Sequence, residues 1–163
     1  MSHHSRHVVS ATAARAFLGS GRLAVVGASA EPSNFGRSVL GELRSHGIPA
    51  VAVHPSATTV DGEPAYPAVT AVPGQLDGAI VMVPADAAVE VVRGCIDAGI
   101  PRIWLFKGAG SGALSDEAVR LCEDAGVEVV PGACPLMFLE PVGLVHRIHR
   151  GMRRMGGSLS RAA

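Results

Sequence analysis

Short apolar runs alternate with amphipathic stretches along most of this chain. Residues 23–26, 48–53, 79–83, 103–106 and 127–130 are mostly Val, Ala, Leu and Ile and have strand length, each closed by glycine or proline soon after. Between them the apolar positions recur at helical spacing. Ser10 or Thr12 caps a first helix to Leu18. A second helix opens at Arg37-Ser38 and carries Val39, Leu40 and Leu43 as far as His46-Gly47. Asp86 is the expected cap of a third, with Val89, Val92 and Ile96 as its buried stripe. Ser115 caps a fourth bearing Val119 and Cys122, and a last helix is predicted over 142–154. Residues 56–77 lack a long periodic run and read as an irregular connection with one short helix near 68–72.

Strands alternating with helices predict an α/β fold with a mainly parallel sheet, because a parallel neighbour needs a crossover long enough to hold a helix. The expectation is a three-layer, Rossmann-like domain over residues 10–142, with five strands in the order 2-1-3-4-5 and helices on both faces. Residues 1–9 are expected to be a disordered start, and 143–163 a basic C-terminal helix and tail. In such sheets ligands bind beyond the carboxyl ends of the strands. That directs attention to the loops at 27–37, 54–56, 83–86, 107–112 and 131–134.

Composition narrows the class. The 163 residues are 48% hydrophobic but only 4% aromatic, which suits a Val/Ala/Leu/Ile core and disfavours a base-stacking nucleic-acid platform. The 20 glycines and 11 prolines punctuate the chain and form no low-complexity block. Fourteen basic residues balance fourteen acidic ones, yet residues 1–140 hold all fourteen acids and nine bases, net −5. Residues 141–163 hold five arginines and no acid, net +5. Cys95, Cys122 and Cys134 are far apart and odd in number, so a reduced, cytoplasmic protein is expected. No apolar run is long enough to span a bilayer, and His3, His4 and His7 read as a solvated terminus.

The loop after the first strand carries the clearest chemistry. Gly27-Ala28-Ser29 is followed by small and polar residues, Gly36, and a helix start with Arg37 and Ser38. Glycine lets an anion approach the backbone, free amides at a helix start point toward it, and the dipole adds roughly half a positive charge. A ligand-free strand-to-helix turn explains the same residues. The G-x-G-x-x-G fingerprint is absent, since Ser29 stands where its second glycine falls. The second strand ends in Val53-His54-Pro55 with no acid for a ribose, so unmodified NAD is disfavoured.

These residues resemble a family. Gly27-Ala28-Ser29, Arg37-Ser38-Val39, His54-Pro55 where the family commonly has Asn-Pro, Gly62, and Tyr66-Pro67 look like small stand-alone CoA-binding proteins. Val83-Pro84-Ala85, the helix end at residues 96–100, and Pro131-Gly132-Ala133-Cys134-Pro135 are similar to the CoA-binding domain of the succinyl-CoA synthetase alpha subunit. The resemblance covers about residues 10–142. It implies CoA or an acyl-CoA as ligand. Gly27, Ala28, Ser29, Arg37 and Ser38 would then hold phosphates, and His54, Pro55, Val83, Pro84 and Ala85 would bound the adenosine and pantetheine. Lys107, the only lysine, follows the fourth strand where small members tend to have glutamine, and either reaches the ligand or lies in solvent. Ser56-Ala57-Thr58 replaces a stretch that often holds a basic residue. The phosphorylated histidine of the synthetase sits in a second domain for which this chain has no room.

A binding protein without catalytic machinery is therefore the first expectation. Its alternatives are a nucleotide-dependent oxidoreductase or CoA-thiol enzyme using Cys134, and an interaction protein. The interaction protein would act through Arg147, Arg150, Arg153 and Arg154, which lie opposite a Leu144, Val145, Ile148, Met152 and Met155 stripe. Docking of that tail on the acidic body of a second copy would give a homodimer. No metal spacing accompanies any of these residues.

Overall fold

The computed structural model describes residues 7–108 and 112–139. The element series begins with α1 (Ala11–Leu18), β1 (Leu23–Val26), α2 (Phe35–Ser45) and β2 (Ala50–Val53). It continues through β3 (Thr59–Val60), β4 (Glu63–Tyr66), a 3-10 turn (Val69–Ala71), β5 (Gly78–Val81) and α3 (Ala85–Asp97). The last elements are β6 (Arg102–Leu105), α4 (Asp116–Asp124), β7 (Glu128–Pro131) and a 3-10 turn (Pro135–Met137). The helix expected over 142–154 lies outside the described residues.

One sheet of seven strands runs β3-β4-β2-β1-β5-β6-β7. This corrects the expected five-stranded sheet of order 2-1-3-4-5, and the difference arises in the stretch read as irregular. Asp61 and Gly62 both take positive φ, 52° and 79°, and close a two-residue turn between β3 and β4. Thr59 then faces Pro64 and Val60 faces Glu63 in an antiparallel pair, and β4 joins β2 in parallel through Ala52↔Ala65 and Val53↔Tyr66. The other pairings, β1 with β2 and β5, β5 with β6, and β6 with β7, are all parallel.

Alternation along the strands builds two apolar layers. Leu23 and Val25 of β1, Ile80 of β5 and Trp104 of β6 pack with α1 and α2 through Phe17, Val39, Leu40 and Leu43. Ala24, Val26, Ala79, Val81, Ile103 and Leu105 pack on the other face with α3 and α4 through Ala88, Val92, Cys95, Ala118 and Cys122. Trp104 is wholly buried. Phe17 meets it edge-on with centroids 5.4 Å apart, and its indole N–H donates to the Ala133 carbonyl at 3.2 Å. Such a satisfied aromatic belongs to the core.

Helix starts follow the capping rules, with two shifts. Ser10 accepts from the Ala13 amide and Ser115 from that of Ala118. The second helix begins at Phe35, with Asn34 as its cap, two residues before the expected Arg37 start. The third is opened by Pro84 with no side-chain cap. Asp86 lies inside its first turn, where a carboxylate complements the dipole. The buried stripe of α3 is Ala88, Val92 and Cys95, with Val89 and Ile96 only part-buried at its margins.

Candidate functional site

Three parallel strands end together beneath the first loop. The Gly27 amide donates to the Val53 carbonyl and the Met82 amide to that of Val26, both at 2.8 Å, which locks the exits of β1, β2 and β5 side by side. Gly27 has φ 107°, and a Cβ there would run into the Met82 carbonyl, so only glycine fits this close approach.

Asn34 organises the loop that follows. Its Oδ1 accepts from the Arg37 amide at 2.7 Å and the Ser29 amide at 3.2 Å, and its Nδ2 donates to the Gly27 carbonyl at 3.1 Å. One side chain thus caps α2 and ties the loop to the strand end. Ser29 adds a turn of its own, its Oγ accepting from the Glu31 amide at 3.3 Å. Gly36 lies against Ala28, where an added Cβ would stand 3.0 Å from the Ala28 amide nitrogen. The amides of Phe35 and Gly36, the first two of α2, have no acceptor among the described residues.

A cavity of about 600 Å³ opens at these strand ends. Val26, Gly27 and Asn34 form its floor and one side, and Val53, His54 and Pro55 come from the end of β2. Met82, Val83 and Pro84 follow β5. The far wall is residues 67–70 together with Ala87, Glu90, Val91 and Gly94 of α3. That helix contributes one face at spacings of three and four, and the lining is mainly apolar, with polar side chains only from Asn34, His54, Thr70 and Glu90.

His54 is oriented by its own loop. Its Nδ1 accepts from the backbone amides of Ser56 at 3.2 Å and Ala57 at 3.3 Å, with the Ser56 hydroxyl at 3.3 Å. Backbone amides can only donate, so Nδ1 holds the lone pair and the neutral ring carries its proton on Nε2. The residue therefore brings a donor to the cavity wall.

The expected site residues fall into two groups. Gly27, His54, Pro55, Val83 and Pro84 line the cavity. Ala28 and Ser29 are buried beneath the loop; Ser38 and Lys107, both exposed, and Ala85, part-buried, lie outside the lining. Arg37 is likewise absent from the lining, and only its backbone amide meets a lining side chain, that of Asn34. Its Nε and Nη2 lie 2.8 and 2.6 Å from one oxygen of Asp61, and its Nη1 donates to the Ala30 carbonyl at 2.8 Å. The sequence reading missed Asn34, residues 67–70 and the α3 face. Asn34 had a signal, being a good capping residue just before a helix. Of the far wall, Pro67 stands in the Tyr66-Pro67 pair of the resemblance, and the rest had no signal.

Cys134 is half-buried ahead of the second 3-10 turn and does not line the cavity. Among the described residues no cluster of three or more His, Cys, Asp or Glu side chains is placed to hold a metal ion, and no helix is long and apolar enough to cross a membrane.

Residues 21–140 match the model of the CoA binding domain. The ADP-forming acetate–CoA ligase I of Archaeoglobus fulgidus is 33% identical over 118 residues, which are 69% of this chain and 17% of the ligase; this chain thus spans about a sixth of that curated relative. A conserved hypothetical protein from Pyrococcus furiosus is 30% identical with a TM-score of 0.64, covering 74% of this chain and 99% of its own. A dinucleotide-forming acetyl-coenzyme A synthetase from Ca. Korarchaeum cryptofilum, solved with phosphate and ADP, is 32% identical with a TM-score of 0.62 over 74% of this chain and 27% of the synthetase. The relationship is thus to a module of ADP-forming acetate–CoA ligases and not specifically to the succinyl-CoA synthetase alpha subunit expected from sequence. Matched over residues 21–140, most of its length, the chain belongs to the CoA-binding domain family.

Proposed function

We propose that this protein binds CoA or an acyl-CoA at the carboxyl ends of β1, β2 and β5 and performs no chemistry of its own. The observation that carries this reading is the apolar cavity of about 600 Å³ beside a glycine-lined helix start, a size suited to the arm or base of one CoA. The pantetheine or adenine packs against Val83, Pro84 and Pro55, and Nε2–H of His54 donates to an acceptor on the ligand. The phosphates lie at the first loop, where the Phe35 and Gly36 amides and Arg37 supply donors and positive potential. Ala28, Ser29 and Ser38 shape that loop, whereas Ala85 and Lys107 stand at its periphery.

Thermal unfolding with and without CoA, acetyl-CoA and longer acyl-CoAs tests the reading. Ligand at 100 times its dissociation constant adds about 2.7 kcal/mol, or about 5–10 °C for a chain of this size. No shift and no binding heat with millimolar CoA species would refute it.

A further inference from the structure

We propose that Asp61 masks Arg37, and that an anionic ligand at the first loop must draw the guanidinium away from this carboxylate, so that the turn between β3 and β4 sets the affinity of the site for phosphate. The proposal rests on the reading that the ligand's phosphates lie in the loop at 27–37.

Arg37 occupies the first turn of α2, the positive end of the helix dipole, where a cation is disfavoured unless an anion neutralises it. Asp61 is that anion in the free protein. Two nitrogens of the guanidinium reach a single oxygen of Asp61, and a third reaches the Ala30 carbonyl within the first loop, leaving two of five N–H groups for another acceptor. The Arg37 and Asp61 side chains are 31% and 36% exposed, so the pair is wet, modest in energy and open to competition.

Asp61 is held in place by backbone. It has φ 52° in the two-residue turn with Gly62, and β4 leaving that turn is fastened to β2, the strand that leads into His54. A phosphate at the loop would meet a neutralised pair, and its affinity is reduced by the work of separating the two.

The test substitutes Asp61→Asn, which keeps the turn because asparagine accepts left-handed φ. Binding of CoA, and of pantetheine as a phosphate-free control, is measured by calorimetry at low salt alongside Arg37→Gln and the double variant. CoA should bind Asp61→Asn about threefold or more tightly, pantetheine should not change, and the gain should vanish in the Arg37→Gln background. In the wild-type protein the Arg37 Nε–H resonance should move with CoA and stay with pantetheine. Unchanged or weaker CoA binding by folded Asp61→Asn, or a gain that survives without Arg37, overturns the mask while leaving CoA binding standing. If the wild-type protein does not bind CoA, the reading beneath the proposal falls and the mask with it.

Discussion

The side-chain amide of Asn34 donates to the carbonyl of Gly27 at 3.1 Å, joining the cap of α2 to the end of β1 across seven residues. Because the same side chain accepts from the Arg37 and Ser29 amides, a single residue fixes both where the helix begins and how the loop lies over the cavity. Asn34→Ala removes all three bonds. It should cost about 1–2 kcal/mol, seen as a thermal midpoint lower by about 2–8 °C. Asn34→Asp keeps an acceptor for the two amides and places a charge at the cavity. It should unfold nearer to wild type yet bind CoA more weakly, and equal affinities of Asn34→Asp and wild type would contradict the phosphate placement.

The parts of the fold legible in the sequence were those set by local composition. Residues 23–26 and 103–106 declare buried strands by apolar runs alone, and Ser10 and Ser115 announce helix starts by their hydroxyls. The β3–β4 turn was missed although Asp61-Gly62 is a strong turn dipeptide. Its arms are two and four residues long and include Glu63 and Pro64, so their extended state comes from pairing with each other, and of β4 with β2, and not from their own periodicity. Phe35 hid the start of α2 because the periodic residues Val39 and Leu40 begin a turn later. At the site, strand ends located His54-Pro55 and Val83-Pro84. Apart from Pro67, the opposing wall depends on how α3 approaches residues 68–70, a tertiary fact with no local mark.

His54 stands where an asparagine would serve the same turn. In both side chains an acceptor sits two bonds beyond Cβ, so Oδ1 of asparagine can take the Ser56 and Ala57 amides as Nδ1 does here. His54→Asn should therefore fold within about 0.5 kcal/mol of wild type, whereas His54→Ala should lose about 1 kcal/mol in urea unfolding. Nitrogen-15 spectra of the imidazole should report the proton on Nε2. A ring protonated on Nδ1 instead would exclude the turn geometry.

Gly94 offers a way to separate the cavity from the fold. It lies inside α3 and lines the cavity, and an added Cβ would have only a methyl of Val69 nearby, at 3.9 Å. Gly94→Ala should stabilise the protein by about 0.5–1 kcal/mol through helix propensity, since nothing obstructs it. Gly94→Leu should send its branch into the void, keep a thermal midpoint at or near that of wild type, and weaken CoA binding at least about tenfold. If Gly94→Leu is stable and binds CoA as wild type does, the ligand is not in this cavity.

The two buried cysteines give the fold a defined alkaline limit. Cys95 and Cys122 are wholly buried in the layer between the sheet and α3 and α4. Burial pushes the Cys95 thiol from the ordinary 9.0 up to about 12, with Cys122 nearby adding to the rise. Burial first, then the Glu123 carboxylate, pushes Cys122 up to about 11 against a backbone hydrogen bond that lowers it. The unfolded chain therefore loses these protons near pH 9 while the native protein keeps them. The native state then binds more protons, so stability is full below pH 9 and falls as pH rises toward 11–12, by at most about 1.4 kcal/mol per unit for each thiol. With one tyrosine and one lysine in the chain, few other groups titrate in this window. Thermal midpoints should hold steady up to pH 9 and then drop, and Cys95→Ala should flatten the drop despite a lower starting midpoint. In the native protein at pH 8 a thiol reagent should label the half-buried Cys134 first and reach Cys95 and Cys122 only on unfolding. Equal labelling rates at all three would mean that the α3–α4 layer opens far more often than its packing implies.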